Sequence, residues 1–165
     1  MVTWGELRSS RPDLADLGRH LLYQFGVGLA FLSTVGRDGA PRVHPFCPLL
    51  TEADLFAFLV PSPKRDDLLR DGRYAMHSFP CPDNEDAFYL AGQGEQVEDD
   101  AVRSARAHQF LDERSHIRLS LDDLAGQLLF RFDIERCMLT RTTGHGDPQP
   151  QHTVWRAPWH REGEA

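Results

Sequence analysis

The sequence predicts a mainly β fold with peripheral helices, arranged as a closed or nearly closed antiparallel barrel. Three observations predict it. Short apolar and β-branched runs recur along the chain, and about seven of them read as strands. Tight turn signals such as Gly36-Arg37-Asp38-Gly39 join successive runs, as between antiparallel neighbours. The helix-period segments do not alternate with strands as they do in a doubly wound parallel sheet. The 165 residues suit one domain with one core.

Ser9, Ser10 and Pro12 open a helix over 12–25, where Leu14, Leu17, Leu21, Leu22 and Phe25 keep near-helical spacing until Gly26 stops it. Residues 27–35 read as a strand. The Asp-Gly turn follows, because it supplies the positive φ that a tight hairpin needs. A second strand spans 40–50, with Pro45 and Pro48 marking an edge or a bulge. A third spans 55–60, so the three form a meander. Ser62 caps a short helix with Pro63 at its first position and Asp66 and Asp67 in its first turn. Strands follow at 73–79 and 87–97, the latter bulged at Gly92 and Gly94. Helices fit 99–113 and 120–126. Two strands, 127–134 and 136–143, close the domain, and the tail from Gly144 reads as irregular.

The chain holds 25 acidic and 18 basic residues, a formal charge of −7. That balance disfavours attachment to nucleic acid or an anionic membrane by net charge. No run approaches the ~20 apolar residues of a membrane span. Cys47, Cys81 and Cys137 are far apart and odd in number, which fits a reducing cytoplasm better than a disulfide framework. Lys64 is the single lysine; every other basic residue is arginine.

The strongest local feature is Ser62-Pro63-Lys64 directly after a strand. A helix start exposes free N–H groups and the positive end of the dipole. Ser62 adds a hydroxyl, Lys64 a point charge, and Arg42 a bidentate fork. Together they describe a phosphate cradle; a capped surface helix with a solvated lysine has the same pattern. No G-x-G-x-x-G or P-loop occurs. No histidine pair has zinc spacing, so no metal site is expected, although His145, His152 and His160 share the tail. His44 lies beside the proposed cradle. It cannot serve Cys47 as a base, since residues three apart on a strand face opposite ways. Trp155-Arg156 is a ring-and-cation pair able to cover a planar ligand, or an interface tryptophan.

The order and spacing of FLSTVGRDGAPRVHPF (31–46), LFAFLV (55–60) and PSPKRDDLLRDGRYAMHS (61–78) resemble the pyridoxamine 5'-phosphate oxidase-like FMN-binding split β-barrel superfamily. The likeness covers residues 20–98 well and the last strands more loosely. It implies an antiparallel split β-barrel of Greek-key type over 1–143, homodimeric, with a tail at 144–165 packing over the cofactor groove. It implies FMN, with the deazaflavin F420 as the alternative and haem or a bilin in some relatives. Arg42, Val43, His44 and Pro45 would then lie beside the isoalloxazine, and Phe58 and Leu59 against the ring or ribityl chain. Ser62 and Lys64 would hold the phosphate. Trp155 and Arg156 would come from the tail, that of the partner subunit included. The implied function is FMN-dependent hydride or electron transfer to a small molecule, with an F420-dependent reductase or a non-catalytic flavin, haem or bilin binder as alternatives. Strict pyridoxamine phosphate oxidation is not expected. Pro63 replaces a basic residue, Asp86-Ala87 replaces an Arg-Gln pair, and no C-terminal Arg-Leu motif is evident.

Overall fold

The structure, a computed structural model, describes residues 1–158. Trp159 and His160 lie outside the described residues. The first element is a helix absent from the reading above, α1 (Trp4–Ser10). A capping box opens it: the Glu6 N–H donates to Thr3 Oγ1 at 3.2 Å and the Thr3 N–H to Glu6 Oε2 at 2.8 Å. Helix α2 (Pro12–Leu22) begins at its proline and buries Leu14, Ala15, Gly18, Leu21 and Leu22. Among the described residues no helix is long and apolar enough to cross a membrane.

Strands β1 (Ala30–Val35) and β2 (Pro41–Phe46) form the expected hairpin. Gly39 turns it at φ 82°, a conformation that costs a side-chain-bearing residue. Beyond Phe46 the meander fails. Cys47 and Pro48 interrupt the strand, and β3 (Leu49–Leu50) pairs with β4 (Leu55–Leu59) instead of continuing β2. Proline has no N–H for a ladder, and the chain uses the break to cross from one sheet edge to the other. After α3 (Pro63–Arg70) come β5 (Arg73–Ser78) and β6 (Ala87–Gln96), then α4 (Asp100–Glu113), α5 (Leu121–Leu124), β7 (Leu128–Arg141) and β8 (Gln151–Arg156). The sheet order is β2-β1-β5-β6-β7-β4-β3, with every pairing antiparallel and β8 also on β7.

Two expectations for the C-terminal half need correction. The two closing strands are one 14-residue strand, β7. The register shifts there: Ala91 pairs with Arg136 and Gly92 with Ile134, which leaves Glu135 as the extra residue of a bulge rather than a turn. Gly92 is required at that point, since an added Cβ would stand 2.0 Å from the Asp133 carbonyl oxygen. Nor is the tail irregular throughout. Residues Gln151–Arg156 form β8 on the end of β7 that β4 leaves unpaired. Thus β7 offers one long edge, and β4 and β8 share it end to end.

The core has two parts. Trp4, Phe88, Phe130 and Phe132 fill the larger one. Phe56, Phe58 and Leu129 form the second, closed by Phe110 of α4. Asp99 caps α4, accepting from the N–H groups of Ala101 and Val102 at 2.8 and 3.0 Å. Replacing Asp99 with alanine should lower stability by about 1 kcal/mol. Chemical denaturation measures this, and an unchanged midpoint would mean that the cap is idle.

Candidate functional site

The barrel is split between β2 and β4. β3 covers only Leu55 and Phe56, so Ala57–Leu59 have a strand partner on the β7 side alone. The other free edge belongs to β2, and α3 starts where β4 ends. The phosphate cradle was expected at this gap.

Strand alternation divides the four predicted residues of β2. Arg42, His44 and Phe46 lie opposite the buried Thr34, Leu32 and Ala30 and share their face. Val43 and Pro45 point to the opposite, exposed face. Only Arg42 and His44 therefore reach the gap. His44 is half-buried there, and its Nε2 is buried without a hydrogen-bond partner among the described residues.

Arg42 and Pro63 meet in an open cleft of about 410 Å³, whose other walls are Arg37, Asp38, Asp66 and Asp67. Arg42 donates from Nε to Asp67 Oδ2 at 2.9 Å, and Thr34 Oγ1 donates to the same oxygen at 2.9 Å. Burial opposes ionisation of Asp67, yet these bonds and the charges of Arg42 and Arg70 hold its carboxyl below the usual range. Asp67 escaped the sequence reading, which took it for an ordinary first-turn acid.

Ser62 does not cap α3. Its hydroxyl donates to the Val60 carbonyl at 2.9 Å, and no side chain bonds the first turn. Pro63 has no N–H, and those of Arg65 and Asp66 reach the Ser62 carbonyl at 3.0 and 3.1 Å, so the first turn leaves one N–H without a partner among the described residues, that of Lys64. Lys64 is half-buried and has no carboxylate partner among the described residues. Desolvation lowers its pKa, and the ionisable group acting against this is Cys47, at the end of β2. Lys64 thus sits between the ends of β2 and β4.

Phe58 and Leu59 are brought to the gap only by their main chain. Phe58 is 6% exposed, with Arg103 over its ring at 5.4 Å and Phe110 edge-on at 5.9 Å. Leu59 is buried in the larger core. Trp155 and Arg156 stand on β8, opposite Cys137 and Arg136, with β7, β6, β5 and β1 between them and β2 in sheet order. Trp155 packs on the core of its own chain. His152 bonds Thr140 and His145 bonds the Pro82 carbonyl; no group of metal-ligating side chains forms among the described residues.

No protein-family model matches the sequence, and no curated protein matches it. Solved structures do match. A Clostridium acetobutylicum protein related to general stress protein 26 of B. subtilis, of the pyridoxinephosphate oxidase family, is 12% identical, with 92% of this chain and 95% of that one covered and a TM-score of 0.58. HutZ, the haem storage protein of Vibrio cholerae, is 14% identical over 75% of this chain and 89% of its own, with a TM-score of 0.55. A haem binding protein of Mycobacterium smegmatis is 17% identical over 83% of this chain, which spans 57% of that protein, with a TM-score of 0.58. Identities this low carry architecture alone, and the chain has the split β-barrel fold of the pyridoxamine 5'-phosphate oxidase-like proteins.

Proposed function

We propose that the protein binds FMN in the gap between β2 and β4 and acts as an FMN-dependent oxidoreductase on a small molecule. One observation carries the reading: the uncapped start of α3 stands beside Lys64, a desolvated cation with no carboxylate partner among the described residues. A phosphate monoester answers both. Its oxygens accept from the free Lys64 N–H and from the ammonium, which regains in the complex what burial took from it. His44 Nε2, buried and unpartnered, waits for a polar group in the same gap. The open edge of Ala57–Leu59 supplies main-chain donors and acceptors along it. The residues present fit the group.

When bound, the isoalloxazine supplies the hydride and electron transfer that the side chains cannot. The chain's own part is to hold the phosphate at Lys64, bond a ring atom at His44 and keep the cofactor against β4. Among the described residues, a second phosphate, as on pyridoxamine phosphate, finds no comparable set. Asp86 is committed to the Thr142 N–H at 2.6 Å and hydroxyl at 3.0 Å. Among the described residues, then, nothing favours pyridoxamine phosphate as the substrate.

The exposed sheet face supports a homodimer. Pro45, Phe31, His77, Tyr89, Met138 and Val154 form one row across six strands. Beside the row, Val43 is 61% exposed, and Phe31, Tyr89 and Met138 within it are half-exposed, which adds apolar surface to this face. A second copy on this face would meet Arg156, which lies on the side of Val154, whereas Trp155 stays turned to the core of its own chain. Sedimentation equilibrium should give twice the chain mass, and a monomer at micromolar concentration would end this part of the proposal.

A second reading has its own observation. The orphaned His44 Nε2 could hold the iron of a haem, and two of the structural neighbours are haem proteins by name. Turnover separates the readings. As an oxidoreductase, the FMN-loaded protein bleaches with a reduced nicotinamide and recovers through many cycles with an electron acceptor. Stoichiometric binding without sustained cycling would leave a carrier.

A further inference from the structure

Away from the gap, the sheet sets two arginines side by side. We propose that Arg136 of β7 and Arg156 of β8 are the two arms of a phosphate-binding site, separate from the gap between β2 and β4.

Arg136 and Arg156 are direct cross-strand partners, and both are exposed. The Ala157 N–H donates to the Glu135 carbonyl at 2.7 Å, so the ladder bonds run through that neighbouring pair and the two arginines form a non-hydrogen-bonded one. Side chains come closest in such pairs, and like charges placed there repel. Among the described residues neither arginine has an ion pair. Asp133 is taken by Arg131 at 3.2 Å. Two guanidinium groups thus stand against one neighbouring carboxylate, that of the bulge residue Glu135.

Arg136 is already held in place. Its Nη2 donates to the Tyr89 hydroxyl oxygen at 3.2 Å, and its guanidinium lies over the Tyr89 ring, 5.6 Å from the centroid. The Tyr89 oxygen accepts from Arg136, which leaves its O–H proton to donate to something else. These donors select the ligand. A carboxylate answers one guanidinium fork with its two oxygens and leaves the second arginine unmatched. A phosphate has oxygens for both forks and for the Tyr89 hydroxyl, and its charge of about −2 offsets the pair's. An arginine held in advance also loses less side-chain freedom on binding.

The place in the sheet keeps this site apart from the first. β4 ends where Leu59 pairs with Leu128, and Arg136 lies roughly 25 Å further along β7. β8 pairs with β7 alone, so the two arginines stand at the margin of the face that would meet a second copy, open to small ions.

Backbone NMR of the whole protein, titrated with inorganic phosphate and separately with methyl phosphate, reads the site residue by residue. The signals of Tyr89, Arg136 and Arg156 should shift in one saturable step that sodium chloride at equal ionic strength does not reproduce. Affinity read from these signals should fall about tenfold in Arg136→Gln and in Arg156→Gln. It should be unchanged in Lys64→Ala, which separates this site from the one proposed at α3. Both arginines are exposed, so neither substitution should prevent folding. Saturation by either probe supports the assignment, and the tighter of the two tells a free phosphate from a phosphate ester. Urea unfolding gives an independent readout. In low-salt buffer without phosphate, Arg156→Gln should unfold at a higher urea concentration than the wild type, and added phosphate should remove the difference. An Arg156→Gln protein that is less stable without phosphate overturns the assignment, because a carboxylate outside the described residues then already holds Arg156. Shifts that follow ionic strength alone, or no shift with either probe, overturn it too.

Discussion

Lys64→Ala should weaken FMN binding by about a hundredfold while leaving riboflavin binding unchanged, because a charge-assisted hydrogen bond to phosphate is worth about 1.5–3 kcal/mol. The expected size follows from the surroundings. Lys64 is half-buried, its pKa is lowered by desolvation, and no carboxylate competes for it among the described residues. A phosphate bound by its ammonium would lie in a setting that screens the charge less than bulk water does. Folding should not suffer, since alanine removes a desolvated charge and keeps helix propensity. Fluorescence titration with both ligands measures the effect. Equal FMN affinity in variant and wild type would take Lys64 out of the site.

The second large effect is on stability in alkali. Burial pushes the Cys137 thiol from its ordinary 9.0 up to about 11, and the Tyr23 phenol from 10.0 up to about 12. Tyr74 is raised further still, by burial first and then by Asp133. In each case the folded protein keeps a proton that the unfolded chain releases. Stability from these groups is complete below pH 9 and falls as pH rises towards 11 for Cys137 and 12 for Tyr23. Each pKa unit corresponds to about 1.4 kcal/mol, so the summed loss should reach several kcal/mol by pH 11. Urea midpoints measured from pH 7 to 11 should drop steeply above pH 9. In Cys137→Ala the early part of that fall should be missing, and a flat profile in the wild type would contradict the burial of these groups.

Much of the fold was legible because its signals are local. The Asp-Gly hairpin and the proline that opens α3 each lie within a few residues of their cause, whereas the bulge expected in β6 at Gly92 and Gly94 has its extra residue, Glu135, on the neighbouring β7. The Thr3-x-x-Glu6 capping box was equally local and was overlooked. What could not be read was non-local. Nothing near β4 announces that its partner is β7, or that Cys47-Pro48 carries the chain between sheet edges. Phe58 looked like a ring contact because the docking of α4 over it is set by Arg103 and Phe110, far along the chain. Asp67 looked like a helix-dipole acid because its partner Arg42 is 25 residues away. The division of β2 into Arg42 and His44 on one face and Val43 and Pro45 on the other was available from strand alternation alone, once the inner face was known.

Whether a cofactor occupies the gap is read from the visible absorption spectrum of the purified protein. The protein is incubated with FMN, F420 or haem in turn, and the excess is removed. Flavin bands should stay with the protein at one per chain after FMN, and Lys64→Ala should lose them. A retained deazaflavin or Soret band without retained FMN would contradict the choice of cofactor. No retained chromophore and no affinity on titration would contradict the central claim, leaving a split barrel whose gap binds none of the three.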